Sequence, residues 1–249
     1  MDRFSIDRGQ MKLDARAAMR EHTPSVYLVA FVFLVIMAVL DILSTKLQFP
    51  GMTLSEIASM YFEDATLERA VTAAMRNTSV GARFLGAAIQ IMVSMISGGF
   101  LLFCLHVSRR SPAGVGTLFD LFAYFFRFLW LEILMGIFIF LWSLLLVIPG
   151  IVAAYRYSMA LFIFFDDPEK GALQCIRESK EMTRGYKGQL FVLDLSFLGW
   201  ILLSIIPVVR IFTEPYISVT KANYYRVLSG RADDPTQPRW QNYGEPWNS

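Results

Sequence analysis

Apolar residues run almost without interruption over 26 to 45, 83 to 105, 121 to 148, 151 to 165 and 189 to 206, with a weaker run over 208 to 228. Several of these runs approach the roughly 20 residues with which a helix crosses a bilayer core. The pattern predicts an all-α protein, a polytopic transmembrane helical bundle of about six spans. The third run opens with Phe119-Asp120-Leu121-Phe122-Ala123-Tyr124-Phe125-Phe126-Arg127. Aromatics and an arginine suit the membrane interface, so its embedded part is predicted to begin near Phe128. Pro149-Gly150 is expected to make the turn into a short fourth helix.

Between and around these runs the pattern becomes amphipathic. Residues 10–21 place Met11, Ala15, Ala18 and Met19 on one side and Lys12, Arg16 and Arg20 on the other, the signature of a helix lying on a membrane surface. The connection 46–81 is the one long loop assigned to the outside. Thr53-Leu-Ser-Glu56 has capping-box spacing there, and a second amphipathic piece over 65–75 would complete a helical cap. Residues 168–184 are expected to form an inner amphipathic helix, with Asp167-Pro168 as its start signal and Gly185 as its stop. The polar, proline-bearing stretch 229–249 reads as a disordered tail, so the bundle is one domain over 1–228.

Composition sharpens the class. Of 249 residues, 55% are hydrophobic and 18% charged, against roughly 25% charged in a soluble domain. A soluble enzyme, a nucleic-acid binder and a disordered chain are excluded. The net charge of +2 selects no partner, so the placement of charge matters more than its sum. The first 24 residues are too charged for a cleaved signal, which makes 26–45 an uncleaved anchor. With the N-terminus inside, the inner segments carry 15 Lys and Arg and the outer ones 4. By the positive-inside rule both termini are expected in the cytoplasm, and Arg109-Arg110 reads as a topology determinant. Five spans would put the C-terminal tail outside, an alternative that the polar content of 208–228 leaves open.

Candidate chemistry is sparse. Cys104 and Cys175 lack metal-ligand spacing and read as free thiols, and His22 and His106 as interfacial histidines. No Gly-rich phosphate loop, HExxH or GxSxG motif occurs. No catalytic residue, metal site or cofactor is therefore expected. Asn77-Thr-Ser79 reads as a chance sequon. Arg177, Lys180 and Arg184 fall on one stripe of the inner helix, with Lys187 following. They serve either as a snorkelling connector or as a surface for anionic lipid headgroups, a phosphate or a membrane partner. Ionisable residues inside the spans suggest two clusters. The inner one would be Arg127, Glu132 and Asp194, and the outer one Arg156, Arg210 and Glu214. Either these lock helix packing, or Glu132 and Asp194 relay a proton or ion. Ser94 and Gly98, followed by Gly99, offer a small surface for close helix packing.

Ile148-Pro-Gly-Ile151, Tyr155 to Ala160, Asp166 to Pro168, Ser179, Gly185-Tyr-Lys-Gly188 and Leu190 to Trp200 resemble a bacterial integral-membrane family, domain of unknown function 975. Pro215-Tyr216 and Ala222-Asn-Tyr-Tyr225 look like its ending, so the resemblance extends over roughly 10 to 228. It implies a multi-pass bacterial plasma-membrane protein without an assigned reaction. In that motif Gly185 and Gly188 would turn the backbone into the fifth span, while Asp194 would need a cation from Arg127 or Lys187. The expected function is that of a non-enzymatic accessory or scaffold protein. Its partners would be membrane lipids, a membrane protein or a second copy of the chain, and not nucleic acid. The alternatives are a small transporter or export component using intramembrane carboxylates, or an intramembrane enzyme acting on lipid.

Overall fold

The computed structural model describes residues 8–22, 24–48, 80–204 and 206–230. The expected outer cap, the sequon and nearly all of the tail lie outside the described residues. Within them the chain is helical and contains no strand. The elements are α1 (Arg8–Glu21), α2 (Val26–Gln48), α3 (Val80–Ser108), a 3-10 helix (Val115–Tyr124), α4 (Phe125–Leu145), α5 (Val147–Tyr157), α6 (Ala160–Asp166), α7 (Ala172–Met182), α8 (Lys187–Leu195), α9 (Leu198–Leu203) and α10 (Pro207–Leu228).

Among the described residues four segments are long and apolar enough to cross a membrane: Val26–Leu47, Val80–Ser108, Val115–Leu145 and Val147–Asp166. The two C-terminal runs are not among them. Run 189–206 is divided between α8 and α9, of 9 and 6 residues. Run 208–228 is one helix, α10, but it carries Arg210, Glu214, Lys221 and Arg226. In its C-terminal half Tyr216, Val219, Ala222, Tyr224 and Tyr225 are buried, while Val208 and Phe212 nearer its start are exposed, and the helix packs against α1, α2 and α3.

The amphipathic reading of α1 is confirmed on its apolar side, where Met11, Ala15, Ala18 and Met19 are all buried. Its polar side also has protein partners. Lys12 Nζ donates to Ser196 Oγ at 2.8 Å and sits 4.4 Å from the Phe197 ring centroid, and Arg16 lies over the Tyr216 ring. The helix is thus docked on α10 and on the α8–α9 junction. Phe33 of α2 stacks on Phe100 of α3 with centroids 4.3 Å apart, which seats α2 on the same core.

Close packing explains the small residues of α3. A Cβ on Gly99 would stand 2.1 Å from the Leu118 carbonyl oxygen of the 3-10 helix, and one on Gly98 would strike the Phe128 ring. Between α4 and α5 the turn is Leu146, which is extended, so Pro149 and Gly150 fall inside the first turn of α5 rather than between helices. Pro is tolerated in that first turn because no N–H is needed there. Gly150 lets Ser143 of α4 approach to where a Cβ would stand.

A bend at 158–159 separates α5 from α6, and Ser179 of α7 fills it. Its hydroxyl donates to the Arg156 carbonyl at 2.8 Å and accepts from the Met159 N–H at 3.2 Å. Thr183 adds a donation to the same carbonyl. The bend opens backbone groups that a straight helix would pair internally, and leaving one buried and unmet costs about 1–3 kcal/mol. α7 supplies the partners and is thereby folded back against α6, α5 and α4.

Candidate functional site: a basic surface on α5, α7 and α8

Two local devices place the cations of this surface. The start signal expected at Asp167-Pro168 instead makes a turn, in which Asp167 Oδ1 accepts from the Glu169 N–H. α7 begins four residues later than expected, after Gly171 as its N-cap. At its other end Gly185 takes a left-handed φ of +90°, a conformation that glycine adopts without strain. The chain then enters α8 at Lys187, so Gly188 lies within α8 and needs no special conformation.

Lys180, Arg184 and Lys187 thereby meet Arg156 of α5. Lys187 interacts electrostatically with Arg156, Arg184 and Lys180, and burial together with these like charges holds its ammonium below the ordinary lysine pKa of 10.5. None of the four, nor Arg177, has an ion-pair partner among the described residues. The Arg156 Nε is buried and lacks a hydrogen-bond acceptor among the described residues. Arg177 remains exposed on α7 and outside this group.

The expected charge clusters are not assembled. Arg127 pairs with Glu169 and donates to the Pro168 carbonyl. Glu132 accepts a hydrogen bond from Ser94 of α3. Asp194 pairs with Lys221 of α10 at 3.1 Å, and the Tyr155 hydroxyl faces the same carboxylate. Its cation is thus neither Arg127 nor Lys187. In the outer set Arg156 has moved to the basic surface, because α7 folds back onto its backbone. Arg210 is exposed, Glu214 is close enough to the Cys104 thiol of α3 to act on it electrostatically, and no ion pair joins Arg210 and Glu214.

A buried polar lock escaped the sequence reading. Arg109, at the end of α3, pairs with Asp166 of α6 at 2.5 Å, and the side chains are 6% and 4% exposed. The Tyr225 hydroxyl donates to the second Asp166 oxygen at 2.5 Å. Beside them Ser108 donates to Asn223, whose amide donates to the Met11 carbonyl, and Arg226 donates to the Ser108 carbonyl. These bonds tie α1, α3, α6 and α10 at one end of the bundle. Asp166 and Tyr225 stand in the stretches that carried the family resemblance, which was the available signal. Arg109 looked like a topology determinant because a charge at a helix end needs no partner in sequence.

These features define an α-helical membrane bundle with a polar lock at one end and a basic surface on α5, α7 and α8 that has no ion-pair partner among the described residues. Residues 144–232 match the model of a family described as "Protein of unknown function (DUF975)". The match takes in the bend, α7, α8 and α10, and is narrower than the expected 10 to 228. No curated protein and no solved structure matches the chain.

Proposed function

We propose that this is a non-enzymatic, multi-pass protein of a bacterial plasma membrane, an accessory or scaffold protein that holds anionic lipid headgroups on its basic surface. Both termini would face the cytoplasm, and the lipid-bound surface would present the bundle to a membrane partner or a second copy of the chain. The observation that carries this reading is the group Arg156, Lys180, Arg184 and Lys187, four cations without an acidic partner among the described residues. Lys and Arg near an anionic leaflet contribute about 1 kcal/mol each, enough for a set of them to retain lipid. The pairing of Asp194 with Lys221, and of Glu132 with Ser94, supports packing roles for these carboxylates over a transport path.

The test is native mass spectrometry of the full chain released from its own membrane patch, comparing wild type with Arg177, Lys180 and Arg184 changed to Gln. A bound lipid that disappears in the variant is the expected result. Equal adducts in both would reduce α7 to a connector and return attention to Glu132 and Asp194.

A further inference from the structure

We infer that Arg156, Lys180, Arg184 and Lys187 form a binding site for a phosphomonoester lipid, with the doubly charged phosphate among the four cations and the acyl chains along α5 and α8. The inference rests on the reading above and narrows it from anionic lipids in general to one charge class of headgroup.

The cations come from α5, the end of α7 and the start of α8; α7 and α8 both pack against α5, and Lys187 feels the like charge of the other three. The neighbouring carboxylates are engaged elsewhere: Asp194 with Lys221, Glu178 with Lys170, and Glu169 with Arg127. Glu181, also on α7, makes no ion pair with the group. The buried Nε of Arg156 is a charged donor with no acceptor among the described residues. Gly185 and Gly188, which flank Lys187, stand in open space, since a Cβ on either would meet nothing within 4 Å. α8 begins at Lys187 with no side-chain cap, so the positive end of its dipole adds to the field there.

Charge class follows from stoichiometry. A phosphodiester offers one charge and two free oxygens, whereas a phosphomonoester offers up to two charges and three oxygens to four cationic donors. The lipid tail follows from the faces that carry the cations. Val152 lies four residues before Arg156 on α5, and Phe191 four residues after Lys187 on α8, so each occupies the same helix face as its cation. Val152, Phe191 and Leu195 are 41%, 50% and 54% exposed. Tyr155 and Phe191 are in ring contact, so these two helices are neighbours. An amphiphile with its phosphate on the cations therefore has an apolar track leading away from them on both helices.

The full chain is reconstituted into phosphatidylcholine nanodiscs containing 10% phosphatidic acid or 10% phosphatidylglycerol, as a probe concentration of roughly the scale of anionic leaflets, and lipid retention is read by native mass spectrometry. Wild type is expected to retain phosphatidic acid at least fivefold over phosphatidylglycerol, about the worth of one extra charge contact. R156Q is expected to lose that preference while keeping phosphatidylglycerol, and K187Q, read in the same way, serves if R156Q does not fold. R177Q keeps the preference. Equal retention of the two lipids by wild type, with loss of both in the Arg177, Lys180 and Arg184 triple variant, would overturn this inference and leave the broader function standing. Retention of neither lipid overturns both. Competition by inorganic phosphate at equal concentration would assign the site to a free anion and overturn the lipid assignment.

Discussion

Replacing Asp166 by Asn probes the lock that closes one end of the bundle. The Asp166 carboxylate accepts from Arg109 on one oxygen and Tyr225 on the other, and its side chain is 4% exposed. Asparagine keeps the shape and one acceptor oxygen but removes the negative charge opposite a guanidinium that is itself 6% exposed. Breaking a buried pair from one side costs about 3–5 kcal/mol, because the remaining charge stays desolvated. For a chain of this size each kcal/mol moves the midpoint by roughly 2–4 °C, so D166N should melt about 6–20 °C below wild type. Thermal unfolding of the detergent-solubilised full chain, followed by tryptophan fluorescence, reads this directly. R109M should show a similar loss, and the double variant R109M/D166L should lose clearly less than the sum of the two, since an apolar pair leaves no charge unmet and only the Tyr225 hydroxyl without its acceptor. The reasoning fails if D166N melts within about 2 °C of wild type, or if the double variant loses the sum of the two single changes.

Three further outcomes follow from the geometry. G99A drives a Cβ to 2.1 Å from the Leu118 carbonyl oxygen. It should destabilise the bundle by about 1–3 kcal/mol, whereas G81A, with open space around it, should be close to neutral in the same melt. Burial pushes the Cys175 thiol up to about 11, so maleimide at pH 8 should label it only after unfolding; rapid labelling of native protein would show that α7 is not packed as described. Lys187 has a lowered pKa, so as pH rises toward 10.5 it loses its proton before an ordinary lysine does. Neutralising it relieves the like-charge cost in the free protein but removes an anion contact, so retention of anionic lipid should weaken across that alkaline window. K187R stays charged and should flatten the dependence; identical profiles for both proteins would remove Lys187 from the site.

Hydropathy alone determined the class. An unbroken apolar run of about 20 residues has few homes other than a bilayer, so the helical segments of α2, α3, α4 and α5–α6 were legible before any tertiary contact was known. The buried face of α1 was legible too, because helical period sorts Met11, Ala15, Ala18 and Met19 onto one side. The basic residues of α7 could be named for the same reason. What could not be read was which elements meet. Periodicity carries no information about a bend at Tyr157–Ala160, and that bend is held open by Ser179, twenty residues further on. Once α7 folds back onto the bend, Arg156 leaves the expected outer cluster and joins Lys180, Arg184 and Lys187. Likewise Asp194 finds Lys221, and Asp166 finds Arg109 and Tyr225, across 27, 57 and 59 residues of chain. Depth along a span can be counted from sequence, but a charge pairs with whatever neighbouring helix presents at that depth. That choice belongs to helix packing, where small residues such as Gly98 and Gly99 set which backbones come close.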